Sequence, residues 1–414
     1  MNRHALKIGL LASTAAALLL SSSAANAASC RPEDYGALHD GTHDDTAAIQ
    51  KAIDVCAGGT VVLGAGAYMS GPLTLSSGDT LVVAKGATLL GSADHNAYRD
   101  SDGRPVVPLI SARDAHDITL EGEGTIDGQG ASWWSEFRAA KTAGQELPLR
   151  PKMIVFSHVT NLKVAGLTLQ NSPMFHLVPQ QSDHVVVDHV TIHAPANAPN
   201  TDGIDPSGRD MLFQNLTIDV GDDNIAIKSG REDPVHPGAA TANIVVRDCT
   251  FLHGHGLSIG SETNGGVQNL LAENITFKDT TTGIRIKTNR EKGGLVRDLT
   301  YRNIKMSGVG QAILITAYYP KIPDQDTAQP IGPRTPDIRD ITIEHVTVDG
   351  AKAAGGLYGL PERSLHGIKL VDITIKAQKG MTVRDASWTL QGKIDVETGP
   401  AVITQTGGSL AEIP

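Results

Sequence analysis

Five short runs decide the fold: Gly203-Ile-Asp-Pro-Ser207, Asn224-Ile-Ala-Ile-Lys228, Gly256-Leu-Ser-Ile-Gly260, Gly283-Ile-Arg-Ile-Lys287 and Ala312-Ile-Leu-Ile-Thr316. Their second and fourth residues are almost all apolar, a period of two, so these positions turn inward while the third and fifth turn outward. Laid under one another, the runs give three outward columns. The residues before each run are Asp202, Asp223, His255, Thr282 and Gln311. The third positions are Asp205, Ala226, Ser258, Arg285 and Leu314, and the fifth are Ser207, Lys228, Gly260, Lys287 and Thr316. If the runs are parallel strands about 4.8 Å apart, each column becomes a ladder of adjacent side chains. The polar chemistry then gathers on one exposed sheet face, where a site is expected.

A second pattern surrounds the first. A polar residue, an aliphatic, usually Thr, then an aliphatic or aromatic residue recurs at Gly166, His189, Asn215, Asp248, Asn274, Asn303, His345 and Asp372, at intervals of 23 to 42 residues. Such a period, holding strands and no helical segments, indicates a parallel β-solenoid whose coils stack into one continuous core. The recurring Asn residues suggest a side-chain ladder at one turn. Asn215 and Asn274 also fit glycosylation sequons, but they are read here as turn residues. A two-sheet sandwich is the alternative, and its Asn-Gly hairpin signals are mostly missing.

Composition agrees. The 414 residues include 44 glycines and are 40% hydrophobic but only 4% aromatic, which suits short aliphatic strands separated by turns. The formal net charge of −10 argues against nucleic acid as a partner. Residues 1–27 read as a bacterial-type secretory signal peptide: Arg3 and Lys7, an apolar centre from Ile8 to Leu20, and Ala25-Asn26-Ala27 as cleavage site. The apolar centre is short for a membrane anchor. The mature chain, residues 28–414, is expected to be one secreted catalytic domain, monomeric and not membrane-bound.

In an oxidising compartment Cys30 and Cys56 form the natural disulfide pair, and Cys249 reads as a buried free thiol. Asp44-Asp45-Thr46 opens a helix whose Ile49, Ala52, Ile53 and Cys56 share one face, a cap for the first coil. Capping is the expected use of Asp44 and Asp45. Residues 128–150 and 318–336 read as loops; Trp133 and Trp134 in the first either stack on a sugar or pack against a coil.

Several carboxylates on one exposed sheet face point to hydrolysis of a glycosidic bond, one acid protonating the leaving oxygen and another activating water. Crowding keeps a proton on one of them near neutral pH. Arg285, Lys287 and Lys228 form a cationic patch on an acidic protein, suited to a carboxylated sugar.

Asn200-Thr-Asp-Gly203, Gly221-Asp-Asp223, Gly254-His-Gly256 and Arg285-Ile-Lys287, with Thr125-Ile-Asp-Gly-Gln-Gly130, occur together and in order. In these residues the chain resembles the polygalacturonases of glycoside hydrolase family 28, from about Cys30 to beyond residue 375. The resemblance implies a single-stranded right-handed parallel β-helix and inverting hydrolysis of α-1,4-linked polygalacturonate in pectin, with no cofactor and no metal. It implies Asp222 as general acid, Asp202 and Asp223 as activators of water, and His255 as assistant to the acid. Asn200, Arg285, Lys287 and Tyr318 are expected to bind substrate. Stacked coils would bring the carboxylates nearer than the ~6.5–9.5 Å usual for inversion. Endo action is expected; exo action, a rhamnogalacturonan hydrolase, a calcium-dependent pectate lyase and a non-enzymatic glycan-binding β-helix are the alternatives. Residues 376–414 match the family poorly.

Overall fold

The computed structural model describes residues 29–99, 106–230 and 240–411. The expected signal peptide, residues 1–27, lies outside them. The chain winds as a parallel β-helix in which each coil pairs with the next, with register shifts only near the two ends. The repeat found in sequence is a real column: Thr125, Thr168, Thr191, Thr217, Thr250 and Thr276 face one another in turn, followed by Lys305, Thr347 and Thr374. Parallel register throughout these pairs excludes the sandwich.

One residue further, Ile126, Leu169, Ile192, Ile218, Phe251, Phe277, Met306, Val348 and Ile375 form the matching inward ladder, all of them buried. Phe251 and Phe277 meet edge-on with centroids 5.3 Å apart. Each ring depends on the coil above and below for its burial, so truncating one to Ala costs about 3–5 kcal/mol.

The corner before each repeat is left-handed. His189, Asn215, Asp248, Asn274, Asn303, His345 and Asp372 have φ of 53–56°. Short polar side chains tolerate that region because they can bond locally. Here they bond along the stack: Asn215 donates to Asp188 at 2.8 Å, Asn274 to Asp248 at 3.0 Å and Asn303 to Asn274 at 3.2 Å. The sequon asparagines are therefore corner residues.

The N-terminal cap is the helix Thr46–Val55, with Ile49, Ala52 and Ile53 buried. The Cys30–Cys56 disulfide ties its end to the first strand. Asp44 Oδ1 accepts from the Thr46 amide at 3.0 Å. Asp45 does not cap; its carboxylate turns back to the amides of Leu38 and His39 at 2.7 and 3.1 Å. Cys249 is a buried free thiol, and burial pushes it up to about 12.

Residues 128–150 are not simply a loop: they contain the helix Ala131–Ala143, which buries Trp133 and Trp134. Trp134 Nε1 donates to the Ser172 carbonyl at 3.0 Å, and Trp133 stacks on His95 at 3.4 Å. Both rings pack rather than project. Residues beyond 375 continue the stack, with Leu365–Arg384 pairing Ala386–Val396 and Val402–Thr404.

Candidate active site

The floor of the site runs through Ile154–Ser157, Leu177–Gln180, Ile225–Ile227, Leu257–Ile259, Thr282–Lys287 and Gln311–Thr316, the second and third joined by single bridges through Ile204. Ile154 pairs Leu177, Leu177 bridges Ile204, Ile204 bridges Ile225, and Ile225, Leu257, Ile284 and Ile313 follow in register. Ser258, Arg285 and Leu314 are adjacent, as the laid-out runs expected. Two residues before each of the first five registered positions, one column reads Lys152, Phe175, Asp202, Asp223 and His255.

Asp202, Asp222, Asp223 and His255 come together in a cleft of about 400 Å³ and its rim. Asp223 is buried and fully engaged. Its Oδ1 accepts from Ser258 Oγ at 2.8 Å and Arg285 Nη1 at 3.1 Å, and its Oδ2 from Lys287 Nζ at 2.6 Å. Asp222 is partly exposed, with Oδ1 2.9 Å from His255 Nδ1. His255 reaches it because glycines flank it: Gly254 has φ +113°, and a Cβ there would lie 2.6 Å from the Asp222 carbonyl oxygen. Asn200 Nδ2 donates weakly to Asp222 Oδ2 at 3.4 Å.

Asn200 is itself held by Arg150, whose Nη2 donates to Asn200 Oδ1 at 2.7 Å. Arg150 Nη1 also donates to the carbonyls of Pro173 and Pro199 at 2.9 and 2.6 Å. This guanidinium crosses from the segment after the second helix and pins the turn ahead of Asp202. Sequence reasoning missed it, and a lone Arg in a segment read as a loop offered no signal.

Tyr318 is not brought to the cleft. It is buried, its hydroxyl donates to Asp326 Oδ2 at 2.9 Å, and Arg384 lies 4.8 Å over its ring. The next residue, Tyr319, lines the cleft, with Lys287 Nζ 5.1 Å and Arg285 Cζ 5.7 Å from its ring centroid. Lys228 Nζ lies 3.3 Å from Asp205 Oδ2 and 3.7 Å from Glu262 Oε2. Lys152 and Phe175, also missed, line the same cleft. The signal was available: Phe175 and Lys152 occupy the acidic column one and two coils earlier than the first run laid out.

The acids are tuned apart. Burial pushes Asp202 well above the usual carboxylate range, and the charges of Asp205, Asp222 and Asp223 add to it. Burial raises Asp205 to about 6, with Lys228 opposing and Asp223 assisting. Burial also acts on Asp222, but the hydrogen bond and charge of His255, with Lys287, outweigh it and hold Asp222 below its ordinary value. Burial thus favours the protonated form of Asp202, deep in the cluster, while His255 and Lys287 favour the ionised form of Asp222.

Ligand atoms of Asp222, Asp223 and His255 lie within 4.8 Å of one another, a spacing that could take a cation. Arg285 and Lys287 already neutralise Asp223, so a divalent ion there would have to compete with two resident charges.

A family model described as glycosyl hydrolases family 28 matches residues 56–393. An endo-polygalacturonase of Pectobacterium carotovorum subsp. carotovorum is 32% identical, over 93% of this chain and 96% of that one. An exopolygalacturonase of Zea mays is 29% identical, with 82% of each chain covered. The solved structure of a polygalacturonase from Erwinia carotovora ssp. carotovora superposes with a TM-score of 0.72 at 29% identity, covering 92% of this chain and 97% of that one.

Proposed function

The chain belongs to glycosyl hydrolase family 28, and from that premise we propose that it cleaves α-1,4-galacturonosidic bonds within polygalacturonate, with inversion. It is a glycoside hydrolase of the polygalacturonase class, and pectin polysaccharide is its substrate. One observation carries the finer reading: a cluster of carboxylates tuned apart lies in one cleft against a cationic pair.

In this reading Asp222 protonates the glycosidic oxygen, Asp202 and Asp223 take a proton from the attacking water, and His255 orients Asp222. Asp222 must gain a proton first, and the substrate supplies the means. A galacturonate carboxylate that reaches Lys287 cancels part of the charge holding Asp222 ionised, and the sugar expels water. A proton that burial favours on Asp202 then has reason to move to Asp222. Arg285 and Lys287 bind the sugar carboxylate, Asn200 positions Asp222, and Tyr319 forms the wall that Tyr318 was expected to supply.

Internal cleavage is supported by the shape of the groove. Past Lys152 it continues into a cavity of about 560 Å³ lined by Pro72, Thr74, Ser111, Arg113, Val155 and Ser157. A polymer therefore has room to extend beyond the acids on the Lys152 side. Export is supported by the disulfide, which needs an oxidising compartment. Among the described residues no helix is long and apolar enough to cross a membrane.

Chromatography of early products from polygalacturonate tests the endo reading: a spread of oligomers is expected, and release of only mono- or disaccharide would overturn it. Proton NMR of the first product tests inversion, the β-anomer being expected from an α-linkage. Unsaturated products and loss of activity in EDTA would instead indicate the lyase.

A further inference from the structure

Lys152 makes no ion pair or hydrogen bond among the described residues, although it is largely withdrawn from water at the wall of the cleft. Its Nζ lies 5.4 Å from the Phe175 ring centroid, and Lys228 Nζ lies 5.6 Å from the same ring. A cation held away from water without a partner has unmet demand for an anion. The arrangement matches the other side of the acids, where Arg285 and Lys287 flank Tyr319 at 5.7 and 5.1 Å. Lys228 is committed to Asp205 and Glu262, so the uncommitted charge on this side is Lys152.

We infer that Lys152, with Phe175 as its stacking platform and Lys228 beside it, is a second carboxylate-reading sugar site across the acid cluster from Arg285 and Lys287. The ligand is a sugar that carries both an apolar ring face and an anion, a uronate. The aromatic ring accepts the sugar face, and the ammonium takes the carboxylate. This rests on the reading of the chain as a polygalacturonate hydrolase and extends it: galacturonates on both sides of the cleaved bond are read by charge. Lys152 is a specificity-determining residue, with no part in the bond-breaking step. Burial lowers the Lys152 ammonium from its ordinary value, while Asp205 and Asp202 nearby help to retain its proton.

Calorimetry on the Asp222→Asn protein, whose turnover is expected to be slowed enough to follow binding, tests the site. The ligands are tetragalacturonate and its fully methyl-esterified counterpart. Lys152→Met is expected to weaken tetragalacturonate about tenfold, the loss of one charge-assisted hydrogen bond. Binding of the ester should be unchanged, and Lys152→Arg should restore most of the acid's affinity. A change below twofold, or equal weakening of both ligands, overturns the inference. Reducing-end release by the parent enzyme separates the two levels. Hydrolysis without a Lys152 effect removes this site and keeps the function; a Lys152 effect without hydrolysis does the reverse.

Discussion

On each side of the acid cluster an aromatic ring lies within reach of two cations, and the two sides differ in what those cations already hold. Arg285 and Lys287 are bonded to Asp223 at 3.1 and 2.6 Å, so they belong to the chemistry as much as to the substrate. Lys152 has no ion pair among the described residues and lies only over the Phe175 ring, and Lys228 holds Asp205 at the longer distance of 3.3 Å. Disturbing the first side should therefore damage turnover and folding as well as affinity. Disturbing the second should damage recognition.

The largest effect is expected at the centre the two sides share. Asp222→Asn should lower kcat by about 10²–10⁴, the range for loss of a general acid, with an unchanged unfolding transition. A residual activity above a tenth would remove Asp222 from that role.

Lys287→Met against Lys228→Met is the direct contrast. Removing Lys287 leaves a buried Asp223 short of one charge, and breaking a buried pair from one side costs about 3–5 kcal/mol. Lys228→Met should cost less than half as much, because Asp205 titrates within reach of neutrality and can take up a proton instead. Denaturant unfolding at pH 7 measures both, and equal losses would erase the distinction. In kinetics Lys287→Met should lower kcat as well as raise KM, since its contact with Asp223 exists before substrate arrives.

Ester content sharpens the same point in the substrate. Wild-type kcat/KM should fall about 10- to 100-fold from demethylated polygalacturonate to highly esterified pectin, from loss of charged hydrogen bonds worth about 1.5–3 kcal/mol. Added salt should narrow the gap. Equal rates on both polymers would take the cations out of recognition.

The smallest effect concerns Asp205. Its folded value, about 6, lies above the ordinary 3.8, so the folded state binds the proton more tightly than the unfolded chain. The stability this contributes is complete below about pH 4 and is lost as pH rises through about 6. Asp205→Asn should flatten that decline between pH 4 and 7. Parallel stability curves for both proteins from pH 4 to 7 would refute it.

The sequence was most legible where period two held. The columns through Asp223, His255 and Arg285 could be read because their strands start at comparable places and the register never slips. Legibility ended where strand geometry ended. After Thr316 the chain leaves the sheet and alternation no longer says which side chain faces the cleft: Tyr319 lines it, where the resemblance implied Tyr318. The helix Ala131–Ala143 was hidden because Gly130 at its start provides no side-chain cap. Asp45 looked like a cap, yet its oxygens serve the amides of an earlier turn, a tertiary choice that spacing cannot express. Asp202 as proton holder depends on burial, which no motif reports.

The corners carry one more consequence. Because left-handed Asn, Asp and His residues fix where each repeat begins, the intervals between repeats vary from 23 to 42 residues without shifting the ladder. Floor and walls are therefore separable units of inheritance. A lineage can lengthen, shorten or exchange residues 320–336 or 131–149, keeping Arg150 and Tyr319, and so change which ends of a polymer fit. The reacting groups, fixed to the floor, need not move by an ångström.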